Sequence, residues 1–192
     1  IAALEGASGG PVAEGGVGAG TGMSCCEFKG GIGTSSRLVP AEAGGFTVGV
    51  LVLSNFGRRE HLVIDGVPVG RSLTNWLPPT SAINPDELGS SIIIVIATDA
   101  PLPPRQLERL CVRAGGGLAR VGGLVSTSSG DFAIAFSTTN RTPHDPSSLV
   151  IEQRQVAEAL VPSQSEHAMP ATRRAATFVC AIGGSYRGGE TM

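Results

Sequence analysis

At 192 residues, 41% hydrophobic and only 16% charged, the chain has the length of one domain with a sizeable core. It carries too few charges for a disordered or solvating segment. Its 14 basic residues, 13 arginines and Lys29, are scattered among 16 acidic ones for a net charge of -2, which leaves no electrostatic footprint for nucleic acid.

Residues 1–35 hold many of the 28 glycines and read as a packed loop system in which backbone approaches a neighbour closely. GFTVGVLVLS, residues 45–54, predicts a strand buried on both faces. His61 to Ile64 predicts a short strand closed by a turn at Asp65-Gly66. Residues 71–90, with three prolines and several polar residues, read as an exposed linker. SIIIVIAT, residues 91–98, is a β-branched run and hence a buried strand. Pro103 and Pro104 then suit a helix start, and Leu107, Leu110, Ala114, Leu118 and Val121 recur at helical spacing. DFAIAFST, residues 131–138, alternates bulky Phe132, Ile134 and Phe136 with alanine, as a strand with one bulky face does. LVIEQRQVAEALV, residues 149–161, reads as a last helix. The order β-β-β-α-β-α favours an α+β fold, a mixed sheet with helices packed on it.

No apolar run reaches the ~18 residues of a membrane span, and no secretory signal pattern opens the chain. Cys25, Cys26, Cys111 and Cys180 lack zinc or C-x-x-C spacing and read as reduced thiols of a cytoplasmic protein. Several motifs fail on context. GASGG around Ser8 has the nucleophile-elbow pattern without the strand before it or the helix after it. GVGAGTG lacks dinucleotide-binding spacing, and no Gly-Lys-Ser/Thr exists. His61, His144 and His167 are isolated, so neither a zinc site nor a His-centred triad is implied.

Ser91 is different. It stands between a Pro-rich polar loop and an aliphatic strand, an arrangement suited to an N-terminal nucleophile. Breaking the bond before it would free an α-amine with a pKa of about 7.7–8.0, which places nucleophile and base on one residue. On pattern alone, a serine that merely caps a strand is the favoured reading.

GSSIIIVIATDAPLPPRQLERL from Gly89 and SGDFAIAFSTTN from Ser129 resemble the self-processing L-aminopeptidase D-amidase/D-esterase and β-aminopeptidase family. VGAGTGM from Val17, FKGGIGTSSR from Phe28 and VGVLVLSNFGRRE from Val48 carry the likeness through residues 15 to about 140. The resemblance implies an αββα sandwich of the N-terminal-nucleophile type. It also implies a precursor that cuts itself before a serine, leaving residues 1–90 as an α-chain-like part and 91–192 as a β-chain-like part of one domain. Ser91 matches the family's nucleophile, Asn55 the oxyanion-holding amide, and Ser129 and Asp131 the hydroxyl and carboxylate beside the nucleophile. Implied partners are peptide, amide or ester substrates and further copies of the αβ unit. No metal, organic cofactor, nucleic acid or membrane is implied.

The chain departs from the family in three ways. The family's oxyanion-assisting tyrosine lies upstream of the region matched, and Tyr186 falls on the wrong side of the cut. Ser90 stands where Gly or Asn is common, so a cut before Ser90 competes with one before Ser91. Residues 162–192 look unlike the family's closing helix. A fragment with a frame-shifted tail is the expectation. The rival readings are an acyltransferase related to the ornithine acetyltransferases, disfavoured because those use threonine, and an uncleaved remnant acting only in assembly.

Overall fold

The computed structural model describes residues 1–73, 91–124, 127 and 129–158. A one-turn helix α1 (Ala2–Glu5) is followed by a 3-10 turn over Gly18–Gly22 and a hairpin of β1 (Ser24–Cys25) and β2 (Phe28–Lys29). A four-stranded sheet then forms from β3 (Gly31–Leu38), β4 (Thr47–Asn55), β5 (Ser91–Thr98) and β6 (Phe132–Ser137), with helix α2 (Pro104–Ala119) between the last two. The strand order is β3-β4-β5-β6, antiparallel except for the β5–β6 pair, which is parallel and joined through α2.

The core lies on one face of this sheet. Val48, Val50 and Val52 of β4 and Ile92, Ile94 and Ile96 of β5 are buried with Leu110, Ala114 and Leu118 of α2. Each large aliphatic buried in this way contributes about 1.5–3 kcal/mol. Proline at the start of α2 costs nothing, because the first-turn N–H groups have no intrahelical acceptor,. The opposite face is open. Ile93 is registered with Phe132 and Val95 with Ile134, and Phe132 and Ile134 are 63% and 57% exposed.

The glycine-rich beginning is welded to the sheet at one point. A Cβ on Gly31, whose φ is +144°, would lie 1.9 Å from the Gly15 carbonyl oxygen, and one on Gly30 would lie 2.6 Å from that of Ser54. The hairpin turn itself uses left-handed Cys26 (φ 51°) and Glu27 (φ 61°), as a two-residue turn matched to strand twist requires.

Five expectations need correction. GIGTSSRL forms strand β3, although it lacks hydrophobic alternation; its ladder to β4 holds it at the sheet edge. His61 to Ile64 makes only an isolated bridge, Ile64 with Val67, around the expected Asp65-Gly66 turn. Of the helix expected over 149–161, residues 149–157 are not helical and 159–161 lie outside the described residues; the segment is tied to α2 instead, by Gln106 Nε2 donating to the Val156 carbonyl and by an Arg109–Glu158 ion pair. Residues 1–13 are exposed rather than packed. Cys25 is disulfide-bonded, whereas Cys111 is a free thiol as expected. The expected linker lies largely outside the described residues.

Candidate active site

Ser91 opens β5 and is registered with Asn55, which closes β4. Directly opposed residues of antiparallel strands project their side chains from the same face, with Cβ atoms about 4.5–5.5 Å apart. The nucleophile candidate and the amide therefore share one end of the sheet. Because β6 runs parallel to β5, the Ser129-Gly130-Asp131 segment that leads into β6 arrives at that same end.

Hydrogen bonds close the cluster. The Gly130 N–H donates to Ser91 Oγ at 3.3 Å. Asp131 Oδ1 accepts from the Ile92 N–H at 3.2 Å and from Ser129 Oγ at 2.5 Å. Its other oxygen, Oδ2, is buried without a hydrogen-bond partner, an arrangement that suits an incoming cation. The Ser24 N–H of the hairpin donates to Asn55 Oδ1 at 3.0 Å. With Oδ1 so engaged, Nδ2 is the donor end of the Asn55 amide.

All four residues singled out in the sequence, Ser91, Asn55, Ser129 and Asp131, are thus brought together, across sequence separations of 36 to 40 residues from Ser91 to its partners on either side. Ser90 lies outside the described residues. Sequence reasoning missed the backbone N–H groups of Ser24 and Gly130, which carry no residue-type signal. Ser8, by contrast, sits in exposed coil with no strand before it. Among the described residues no group of three or more His, Cys, Asp or Glu side chains could hold a metal. No helix among them is long and apolar enough to cross a membrane.

Comparison with known proteins places the chain in a family. The family model "Peptidase family S58" matches residues 1–182. Two β-peptidyl aminopeptidases named BapA are similar in sequence. That of Sphingosinicella xenopeptidilytica is 52% identical over 150 residues, covering 74% of this chain and 37% of the relative. That of Sphingosinicella microcystinivorans is 42% identical over 190 residues, covering 93% and 48%. Among solved structures, the L-aminopeptidase D-Ala-esterase/amidase of Ochrobactrum anthropi, a prototype for the serine aminopeptidases with a variant of the Ntn hydrolase fold, superposes with a TM-score of 0.82. It is 40% identical, over 94% of this chain and 48% of that one. The chain spans about half or less of the length of these relatives. The family match runs well past Asn140, which corrects the expectation of an unrelated tail as far as residue 182. The α+β architecture is that of the Ntn-hydrolase-like variant, and the chain belongs to peptidase family S58.

Proposed function

We propose that this chain carries the nucleophile, its base and one oxyanion donor of an N-terminal-serine aminopeptidase and amidase. The observation that carries the reading is the register of Ser91 against Asn55, with the unpartnered Asp131 Oδ2 at the same strand end. In self-processing, Ser91 Oγ attacks the Ser90 carbonyl carbon and passes its proton to the departing Ser91 nitrogen. The C–N bond breaks, and water hydrolyses the ester so formed. The new α-amine then accepts the Oγ proton when Ser91 attacks a substrate carbonyl. Asn55 Nδ2 donates to the developing oxyanion, and the proton moves on to the leaving amine. Water releases the acyl group and restores the free serine. Asp131 Oδ2 orients an ammonium, either that of Ser91 or that of the substrate's N-terminus.

Residues 1–90 and 91–192 are the two chains this cut would leave. Substrates are peptides, amino-acid amides or esters, and several αβ units assemble. The disulfide at Cys25 favours a non-reducing compartment over the expected cytoplasm,, and cell fractionation tests this. The acyltransferase reading is not favoured by the family match.

The test uses protein made from the full reading frame. Intact-mass analysis after reduction is expected to find two chains parting before Ser91, and p-nitroanilides of L-Ala, β-Ala or D-Ala to be hydrolysed. Ser91→Ala is expected to abolish both processing and hydrolysis, while Ser91→Cys retains some processing. Unchanged cleavage in Ser91→Ala overturns the assignment and promotes Ser90.

A further inference from the structure

Lys29 is the only lysine of the chain, and its placement is unusual. The half-buried ammonium donates to three backbone carbonyls, those of Gly20 at 2.8 Å, Met23 at 3.0 Å and Gly30 at 3.2 Å. Three convergent carbonyls match the three protons of a tetrahedral ammonium, and a planar guanidinium cannot meet them in the same way. The stem passes tightly over Gly16, where a Cβ would lie 3.0 Å from Lys29 Cε. Lys29 therefore fastens the 3-10 turn, the end of that turn and the start of β3 to one another.

The Met23 carbonyl belongs to the same peptide group as the Ser24 N–H. One end of that peptide thus receives the Lys29 ammonium, and the other donates to Asn55 Oδ1. A second bond, from the Gly30 N–H to the Met23 carbonyl at 2.8 Å, holds the plane in register. A cation on the carbonyl oxygen draws electron density through the amide and makes its N–H a stronger donor. A stronger donor on Oδ1 in turn makes Nδ2–H a stronger donor.

We propose that Lys29 is a positioning residue, which sets the orientation and donor strength of the Asn55 amide through the Met23–Ser24 peptide. This rests on the reading of Asn55 as the oxyanion donor. The catalysed step is unchanged, and Lys29 touches no reacting atom.

The experiment is a double-mutant cycle in processed protein from the full reading frame, with the mature fraction set by mass spectrometry. Lys29→Met is expected to lower kcat by about 10–100-fold, as displacement of a catalytic group does, with KM close to that of the parent and a lowered thermal midpoint, because three carbonyls lose their donor. In the Asn55→Ala background the same substitution is expected to change kcat by less than about two-fold, because the group it positions is gone. An equal loss in both backgrounds overturns the proposal and makes Lys29 merely structural. Where Lys29→Met fails to fold, Lys29→Arg takes its place, with a smaller loss of kcat expected that again vanishes beside Asn55→Ala; parental kcat in Lys29→Arg overturns the proposal. If Asn55→Ala itself leaves kcat unchanged, the reading of Asn55 fails. If Asn55→Ala is impaired and Lys29→Met is silent, the inference about Lys29 fails alone.

Discussion

Asn55→Ala removes one amide donor while leaving the β4–β5 ladder, which uses backbone groups, intact. We expect kcat to fall by about 10²–10³, the usual loss for one oxyanion donor, with circular dichroism unchanged. Cys26 invites a different test. Burial, with the neighbouring Glu27 carboxylate adding to it, pushes its thiol pKa up to about 12. Thiolate is the reactive form, so at pH 8 iodoacetamide is expected to leave Cys26 unmodified in native protein and to label it after denaturation, as read by peptide mass spectrometry. The types of the four site residues were legible in the sequence, but their convergence was not. Nothing in SNFGRRE or SSGD states that Asn55 will face Ser91, because strand register creates that neighbourhood. The Ser24 N–H was invisible for a further reason: every residue but proline offers the same group.

Two glycines make opposite predictions at the scale of the elements. Gly31 begins β3 at positive φ with backbone 1.9 Å from a built Cβ, so neither strain nor collision can be relieved by a rotamer change. Gly31→Ala is expected to destabilise the fold by about 3 kcal/mol or more. Gly115 lies within α2 with nothing within 4 Å of a built Cβ, so Gly115→Ala is expected to stabilise by about 0.5–1 kcal/mol. Urea unfolding midpoints of the two variants check both signs. The same comparison explains which elements could be read in advance. β4, β5 and β6 announced themselves through aliphatic and aromatic runs, and α2 through its apolar stripe and paired prolines. β3 is built of small and polar residues, so its only instruction is the ladder it joins. Residues 149–157 show the reverse error. Helical spacing was present, yet hydrogen bonds from Gln106 and Arg109 hold that backbone in another conformation.

For the molecule as a whole, the open face of the sheet matters most. Phe132, Ile134, Phe136 and Ile93 are 40–63% exposed on contiguous positions, more apolar surface than a soluble chain usually leaves uncovered. The 192-residue chain expressed alone is therefore expected to bind a hydrophobic dye, to associate in sedimentation, and to hydrolyse p-nitroanilides weakly or not at all. A clean monomer with full activity would show that this face needs no cover. The position of Ser91 within the sheet has another consequence. A break before Ser91 assigns β3 and β4 to one product and β5 and β6 to the other, while the eight residue pairs from Val48–Thr98 to Asn55–Ser91 still bridge them. Once the disulfide of Cys25 is reduced, the products stay together by this ladder rather than by a bond. With thiols reduced, folding of the uncut chain is first order, whereas reassembly of the cut one is second order and depends on dilution. A single peptide bond then records the molecule's history, because a protein that has matured and unfolded cannot return along the route by which it first folded.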